Sequence, residues 1–294
     1  MKKIIIFILI AFSFEGYSQI LDPVLGPRSY KKEDNAQREA IALTPIREAD
    51  VMWSTRILRE IDLRQKMNQP LYFPLDSALH GKRSLVQILY DDFINNPASN
   101  VKMYKNDNFL VPLTQEEAVR MVARQDSVWK IDSLGNAVRF FAQNLFDDVK
   151  PKITKIELME DQLFDKQRSV MDVRLLALSI KIPVYQVDES LDVFNNVVVF
   201  NGYKIMDGYN ELWFFFPDLR PTFAVLECYK RQNDAARLSY DDIFLQRIFS
   251  SYIYREENVF DRTIANYTAG LDALLESENI KNNISELEQD LWQY

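Results

Sequence analysis

The most reactive side-chain types occur singly in this chain of 294 residues. His80 is its one histidine and Cys228 its one cysteine. A Ser–His pair for nucleophilic catalysis, or a histidine-based zinc site, would have to be built around His80 alone. The neighbours of Cys228 in sequence, Leu226, Glu227 and Tyr229, are typical of a buried structural thiol. A single cysteine also excludes an internal disulfide.

Paired acidic residues are the other candidates for chemistry, and they occur at Asp91-Asp92, Glu116-Glu117, Asp147-Asp148 and Asp241-Asp242. Adjacent residues on a helix do not face each other, so these pairs are interpreted as solvated faces or helix caps. The acidic run 188–192 lacks the glycine and the ligand spacing of an EF-hand. The phosphate-loop, dinucleotide, nucleophile-elbow and HExxH motifs are absent from the sequence. We therefore predict no catalytic residue, no cofactor and no metal ligand.

The overall charge and the first residues restrict the class of protein. The chain carries 35 basic and 43 acidic side chains, for a formal charge of −8, and it is a poor candidate for nucleic acid binding. Lys2 and Lys3 precede an apolar run over 4–14, and Gly16 and Ser18 precede Gln19, which predicts a cleavable signal peptide over 1–18. The apolar run is about half the roughly 20 residues that span a bilayer, so no membrane span is expected. We expect an exported protein that is not itself lipidated, because no cysteine follows the cleavage site.

The stretch from Thr44 to Pro74 carries the strongest local pattern. Thr44 is a suitable helix cap, Pro45 suits the first helical position, and neither Gly nor Pro follows until Pro70. A helix to Asn68 would align one apolar face, which consists of Ile46, Ala49, Trp53, Ile57, Ile61 and Met67. We therefore predict a core-facing helix.

Arg56, Glu60 and Arg64 recur at intervals of four beside that face. On a helix this spacing forms an Arg–Glu–Arg chain. One interpretation is a solvated helix edge, and the other is a protein–protein interface, because Trp53 and arginines are types that dominate such contacts.

Elsewhere the pattern predicts helices over 84–95, from Thr114, from Ser239 and from Asn266, with a short hairpin over 101–111. Strands are predicted over 153–164, 170–185, 197–200 and 212–216, while the pattern over 222–229 fits a strand or a helical turn. The expected fold class is α+β, with a mainly helical N-terminal half, a small antiparallel sheet in the second half and C-terminal helices. The expected division is 1–18 signal peptide, 19–43 extended arm, 44–256 core domain and 257–294 helical tail.

Two further features concern contacts rather than chemistry. Arg220 lies between Leu219 and Pro221, where a charge requires a carboxylate or carbonyl partner, and we expect first an architectural ion pair and second an interface role. In the tail, Leu287 and Leu291 continue an apolar seam from Ile280 and Ile284. That seam either packs back on the domain or docks onto a partner helix.

Three stretches in combination resemble the GldN/PorN family of the gliding motility and type IX secretion machinery of Bacteroidota. They are 52–68, with Met52-Trp53-Ser54 and Arg59 to Arg64; 216–221, Phe216 to Pro221; and 233–253, with Asn233 to Leu238, Asp241-Asp242 and Phe249 to Ile253. The likeness covers nearly the whole mature chain. Leu58 stands where the family pattern leads us to expect a second aromatic residue.

The resemblance implies a non-enzymatic protein of the periplasm, held at the outer membrane by a lipoprotein partner of the GldK or PorK type. It also implies self-association in a ring and contact with the periplasmic domain of a GldM or PorM type motor protein. The motif and seam residues become candidate structural or interface positions, namely Trp53, Arg56, Glu60, Arg64, Arg220, Arg237, Leu287 and Leu291. The alternative is a periplasmic hydrolase or binding protein that uses clustered acidic residues.

Overall fold

The computed structural model describes residues 20–22, 26–28, 37–75, 81–123, 127–131, 137–141, 146–192, 197–230, 237–260 and 262–291. The strands are β1 (Ile20–Asp22), β2 (Gly26–Arg28), β3 (Val51–Asp62), β4 (Met103–Tyr104), β5 (Pro112–Leu113), β6 (Ser127–Ile131), β7 (Ala137–Phe141), β8 (Lys155–Asp165), β9 (Val170–Asp192), β10 (Val197–Phe215) and β11 (Tyr252–Glu256). The α-helices are α1 (Gln69–Tyr72), α2 (Leu85–Ile88), α3 (Gln115–Ala123), α4 (Phe146–Val149), α5 (Phe216–Val225), α6 (Tyr240–Leu245) and α7 (Leu271–Leu291). A π-helical turn, Leu89–Ile94, continues α2.

A seven-stranded antiparallel sheet organises these elements. Its strand order is β11-β3-β8-β9-β10-β4-β5, and β1–β2 and β6–β7 form separate two-stranded hairpins. The strand β9 has 23 residues and β10 has 19, so the two continue as a ribbon beyond the last pairing of β8, at Lys155 and Lys181. Our expectation of a small sheet was therefore wrong.

The predicted helix from Thr44 to Asn68 is also wrong, and with it the mainly helical N-terminal half. Residues 51–62 form the strand β3, which pairs with β11 on one side and β8 on the other. The β-branched residues Val51, Thr55, Ile57 and Ile61 favour extended backbone. In the sheet, Arg56, Arg59 and Glu60 find oppositely charged partners on β8, which are Asp161, Glu160 and Lys155. Tertiary pairing thus overrides a local pattern that fits a helix.

Successive side chains of a strand point to opposite faces of the sheet, and residues paired across strands share a face. The two faces of this sheet therefore carry different sets of residues. On the inner face, one row joins Ile61, Ile156, Ile180 and Leu212 across four strands. Helices α1 to α6 cover this row and complete the main core, where Tyr240, Phe216, Phe223 and Phe244 are buried among others. The outer face carries the other alternate residues, including Leu58, Met159, Ala177 and Trp213.

Several local predictions were confirmed. The predicted helix over 84–95 is present as α2 and its π-helical continuation, and Ser239 forms a capping box with Asp242 at the start of α6. Thr114 and Glu117 exchange hydrogen bonds at the start of α3. Strands β8 and β9 contain the predicted segments 153–164 and 170–185 almost entirely, and β4 and β5 pair across the predicted hairpin.

Other boundaries differ from the prediction. The run 197–200 and residues 212–215 belong to one strand, β10, and Phe216 already begins α5. The helix α5 ends at Val225, before an isolated bridge from Glu227 to Ser239. The helix predicted from Ser239, α6, ends at Leu245, and Tyr252 lies on the edge strand β11.

The C-terminal helix α7 packs beside that edge strand. Ile280 of α7 is buried against Ile57, Ile253 and Ile264, and Ile284 packs beside them. The Ser277 hydroxyl accepts a hydrogen bond of 2.9 Å from the Ile253 backbone N–H. Because an unpaired edge strand is a template for unwanted strand pairing, this cover protects part of the sheet edge.

Candidate functional site

A groove of about 770 Å³ lies on the outer face of the sheet. Its floor follows one register row, which joins Arg255 to Leu58, Leu58 to Met159, and continues through Ala177 to Phe215. The loop that carries Phe109, between β4 and β5, forms one wall. Both apolar and charged side chains therefore line the groove. Its position on the face of a sheet suits contact with the surface of another molecule.

A row of buried polar residues lies next to this floor. Glu60 is only 4% exposed, and its two carboxylate oxygens accept hydrogen bonds from Lys155 at 2.8 Å and Lys181 at 2.7 Å. The Tyr252 hydroxyl donates a further hydrogen bond to Glu60. Burial alone would raise the pKa of Glu60, but these three donors outweigh it and hold the pKa below its ordinary value. Glu60 is therefore a stably ionised carboxylate.

Glu157 faces Glu60 across the β3–β8 ladder and behaves differently. It is 1% exposed, and one oxygen lies 2.5 Å from the Lys181 Nζ. Burial raises the pKa of Glu157, Lys181 opposes the shift only in part, and the nearby Glu211 adds to it. Among the described residues, the second oxygen of Glu157 and the hydroxyl of Ser179, its neighbour across β8 and β9, have no hydrogen-bond partner.

Two carboxylates whose pKa values are displaced in opposite directions are a common arrangement for acid–base catalysis. Here Glu60 and Glu157 are enclosed, and Lys181 binds both, so neither carboxylate presents an oxygen to the groove. Within the described part of the chain, no three His, Cys, Asp or Glu side chains are grouped as metal ligands. The arrangement is suited to fixing the positions of four strands, and it offers no reacting group to a substrate.

The predicted Arg–Glu–Arg chain does not form, since residues four apart on a strand are separated by about 13 Å. Arg56 instead makes a two-point ion pair with Asp161 of β8, at 2.7 and 3.1 Å. Arg64 lies beyond the end of β3 and pairs with Asp62. Trp53 is half-buried and lies opposite Phe164.

Arg220 has both kinds of partner that its surroundings require. Its guanidinium donates to the two Asp241 oxygens at 2.9 and 3.1 Å, and to the Ile41 carbonyl at 2.6 Å. The adjacent Asp242 accepts from Arg38 at 2.8 and 2.9 Å. These two pairs fasten the segment that enters the domain to the start of α6.

Arg237 lies 3.3 Å from Glu227, and together they flank the bridge that leads into α6. Leu287 and Leu291 are half-buried on α7. Whether any predicted interface position contacts another protein stays a prediction.

The remaining candidate catalytic or binding residues either have a structural role or lie outside the residues that the structure describes. Cys228 is 1% exposed, and burial raises the pKa of its thiol to about 11, so it is unreactive near neutral pH. Asp91 and Asp92 both bind Arg83, and the run 188–192 lies within the strand β9. His80 lies outside the described residues.

Sequence reasoning missed Glu157, Lys181 and Tyr252 as members of the buried polar row. A signal was available for Glu157, because a charged residue between Ile156 and Leu158 in an alternating strand must face the side opposite the core. The identity of its partners depends on Lys181 and Tyr252, which lie on strands that are distant in sequence.

In the described residues, no helix has the length and apolar character needed to cross a membrane. A search of curated proteins gave no match to this chain. The family model described as gliding motility associated protein GldN matches residues 46–293, which include the whole seven-stranded sheet and α7. The chain belongs to the GldN family and is thus a component of the gliding motility and type IX secretion machinery.

Proposed function

We propose that this chain is a non-enzymatic structural subunit of the type IX secretion and gliding motility machinery in the periplasm. It assembles into a ring with an outer-membrane lipoprotein of the GldK or PorK type. It also contacts the periplasmic domain of a GldM or PorM type motor protein. The observation that carries this proposal is the family match over residues 46–293.

Features of the sequence support the export step. A basic start, an apolar run over 4–14 and small residues before Gln19 form the pattern of a cleavable leader. The residue after the predicted cleavage site is Gln19 and not a lipidatable cysteine, which supports attachment to the outer membrane through a lipidated partner.

The chemistry of the outer face supports a structural role over the hydrolase alternative. Three acidic residues of the sheet and of the start of α6, Glu60, Asp161 and Asp241, are held by lysine, tyrosine or arginine partners. A hydrolase needs a carboxylate that a substrate or a water molecule can approach. The rigid sheet with internally neutralised charges is instead suited to a subunit that bears load.

A pull-down from the envelope fraction tests the proposal. A C-terminally tagged chain should co-isolate a lipoprotein of similar abundance in a complex far larger than 34.6 kDa. The matched control is the same chain without residues 2–18, which should remain in the cytoplasm, fold, and isolate alone. A lone periplasmic monomer with measurable turnover of a substrate would favour the hydrolase alternative.

A further inference from the structure

A turn after the edge strand β11 is built in unusual detail. The side-chain oxygen of Asn258 accepts from the backbone N–H groups of Phe260 and Arg262, each at 3.1 Å. Its side-chain nitrogen donates to the carbonyls of Glu256 at 2.8 Å and Arg262 at 2.9 Å. These four bonds use the full hydrogen-bonding capacity of an asparagine side chain. The turn is therefore fixed in one conformation.

This fixed turn presents apolar side chains to solvent. Val259 is 97% exposed and Phe260 is 74% exposed. The Arg262 guanidinium lies between two aromatic rings, 4.9 Å from the centre of Phe260 and 5.1 Å from that of Tyr267. Because cation–π contacts orient both rings, their apolar surfaces are held in place before any partner arrives.

The first turns of α7, which follow Tyr267 in the chain, expose further apolar side chains. Leu271 is 70% exposed, and Leu274 and Leu275 are about half exposed. They occupy positions i, i+3 and i+4, on the side of the helix opposite the buried Ile280. The Tyr267 hydroxyl lies 3.3 Å from the Glu276 carboxylate, which links the turn to this helix. We call the set Val259, Phe260, Tyr267, Leu271, Leu274 and Leu275 the C-terminal apolar patch.

Acidic groups lie beside the patch, since Glu276 accepts a hydrogen bond from Tyr267, Glu256 is close to both, and Asp272 follows Leu271 on α7. Burial raises the pKa of Glu256, and the nearby Glu276 carboxylate raises it further, which shows that negative charges crowd each other here. Arg262 lies against the rings of Phe260 and Tyr267, and Lys281 is 3.5 Å from Glu278. An approaching basic group would relieve this repulsion.

We infer that the C-terminal apolar patch is a docking surface for a helix of another protein whose apolar stripe is flanked by lysine or arginine. Leucines at i, i+3 and i+4 form a ridge that packs against a second helix, and Val259 and Phe260 supply anchors at its end. The charge of the surroundings selects a basic helix over an acidic one. A second copy of α7 is excluded as the occupant because α7 carries six acidic side chains and one lysine.

This inference does not depend on the proposed ring, because it rests on the patch and its charges alone. The test uses the purified chain without its predicted leader and three synthetic helical peptides of 18 residues. The first has leucines at helical spacing flanked by lysines, the second has the same leucines flanked by glutamates, and the third keeps the lysines but replaces the leucines with serines. Isothermal titration calorimetry gives the dissociation constant of each peptide.

The lysine–leucine peptide should bind about tenfold or more tightly than either of the others. Phe260→Ala and, separately, Leu275→Ala should each weaken that binding about tenfold, since exposed anchors dominate such contacts. The matched control is Leu110→Ala, which removes a leucine that is 80% exposed on the loop between β4 and β5 and should leave binding unchanged. Because all three side chains are exposed, each variant should retain the circular dichroism spectrum of the parent.

Equal binding of the glutamate peptide would overturn the assignment of a basic partner. An equal loss in the Leu110→Ala control would show that binding is not confined to the patch. Sedimentation of the chain alone as a dimer that Phe260→Ala dissociates would identify a second copy as the occupant and would also overturn the inference.

Discussion

The central sheet and the C-terminal segment place charged and apolar groups in opposite ways. On the sheet, Glu60, Glu157 and Glu160 are buried and bound by lysines or arginines. In the C-terminal segment, Val259 and Phe260 are exposed on a turn that Asn258 holds rigid. Burying a charge and exposing an apolar group each cost free energy in a protein that stands alone.

The difference separates two kinds of function. Buried ion pairs fix which strands lie side by side, because breaking one leaves an uncompensated charge in the interior. Exposed apolar groups on a rigid turn contribute little to the fold and much to a contact with another molecule. We therefore expect substitutions in the sheet to lower the free energy of unfolding, and substitutions in the C-terminal apolar patch to lower binding alone.

The largest effect on stability is expected for Arg220→Ala. The substitution leaves Asp241 buried without its cation, and we expect a loss of about 3–5 kcal/mol in the free energy of unfolding by urea titration. The control is Arg64→Ala, which breaks the exposed pair with Asp62 and should cost less than about 1 kcal/mol. Similar losses for both variants would contradict the distinction between buried and exposed pairs.

The two facing glutamates should respond oppositely to substitution. Glu60→Gln removes an ionised group bound by Lys155, Lys181 and Tyr252, and should cost about 2 kcal/mol at pH 7. Glu157→Gln resembles the protonated form that burial favours, and should cost less than Glu60→Gln. Equal costs at pH 7 would contradict this assignment.

The pH dependence of the free energy of unfolding distinguishes Glu60 from Glu157 more sharply than their costs at pH 7. Because the pKa of Glu60 is depressed in the folded chain, its stabilisation is present above the ordinary pKa of 4.5 and disappears as the pH falls through the folded value. Because the pKa of Glu157 is raised, the stabilisation from its protonated form is present below 4.5 and disappears as the pH rises through the folded value. Urea titrations over this range give the free energy of unfolding of each protein. The excess of the wild type over Glu60→Gln should grow as the pH rises, and its excess over Glu157→Gln should shrink.

A smaller loss in the free energy of unfolding is expected where the C-terminal helix α7 meets the edge strand β11. Ser277→Ala removes the acceptor for the buried Ile253 N–H, which should cost about 1 kcal/mol, partly offset by the better helix propensity of alanine. Hydrogen exchange should then speed up at Ile253 before it does at Ile57 in the strand β3. Ser285→Ala, on an exposed side of the same helix, is the matched control.

The smallest effect on stability is expected in the patch itself. Phe260→Ala should change the free energy of unfolding by less than about 0.5 kcal/mol, because the side chain packs on little besides Arg262. A loss of several kcal/mol would show that Phe260 belongs to the core, and the contrast between the two regions would fail.

Local sequence signals predicted the ends of several elements but not the centre of the fold. The caps at Thr114 and Ser239 depend on residues three positions apart, so the sequence reveals them directly. The strand β3 is different, because Trp53, Ile57 and Ile61, spaced by four, match one face of a helix as well as one face of a strand. Its pairing with β8, about a hundred residues away, decided the outcome.

The same limit applies to the site. The need of Arg220 for a carboxylate was evident from its apolar neighbours, but the roles of Glu60 and Arg56 depended on the strand register. The patch was overlooked because Val259 and Phe260 show no periodicity, and only the structure reveals that Asn258 fixes them toward solvent.

We propose that this chain acts by assembly. Buried charges hold its sheet together, and the exposed C-terminal apolar patch binds a partner. Sedimentation of the tagged chain from solubilised cell envelopes tests this claim most directly, with Phe260→Asp and Leu110→Asp compared with the wild type. We predict a large complex for the wild type and for Leu110→Asp, and a smaller species for a Phe260→Asp variant that remains folded. A wild-type chain that sediments as a monomer would contradict the account.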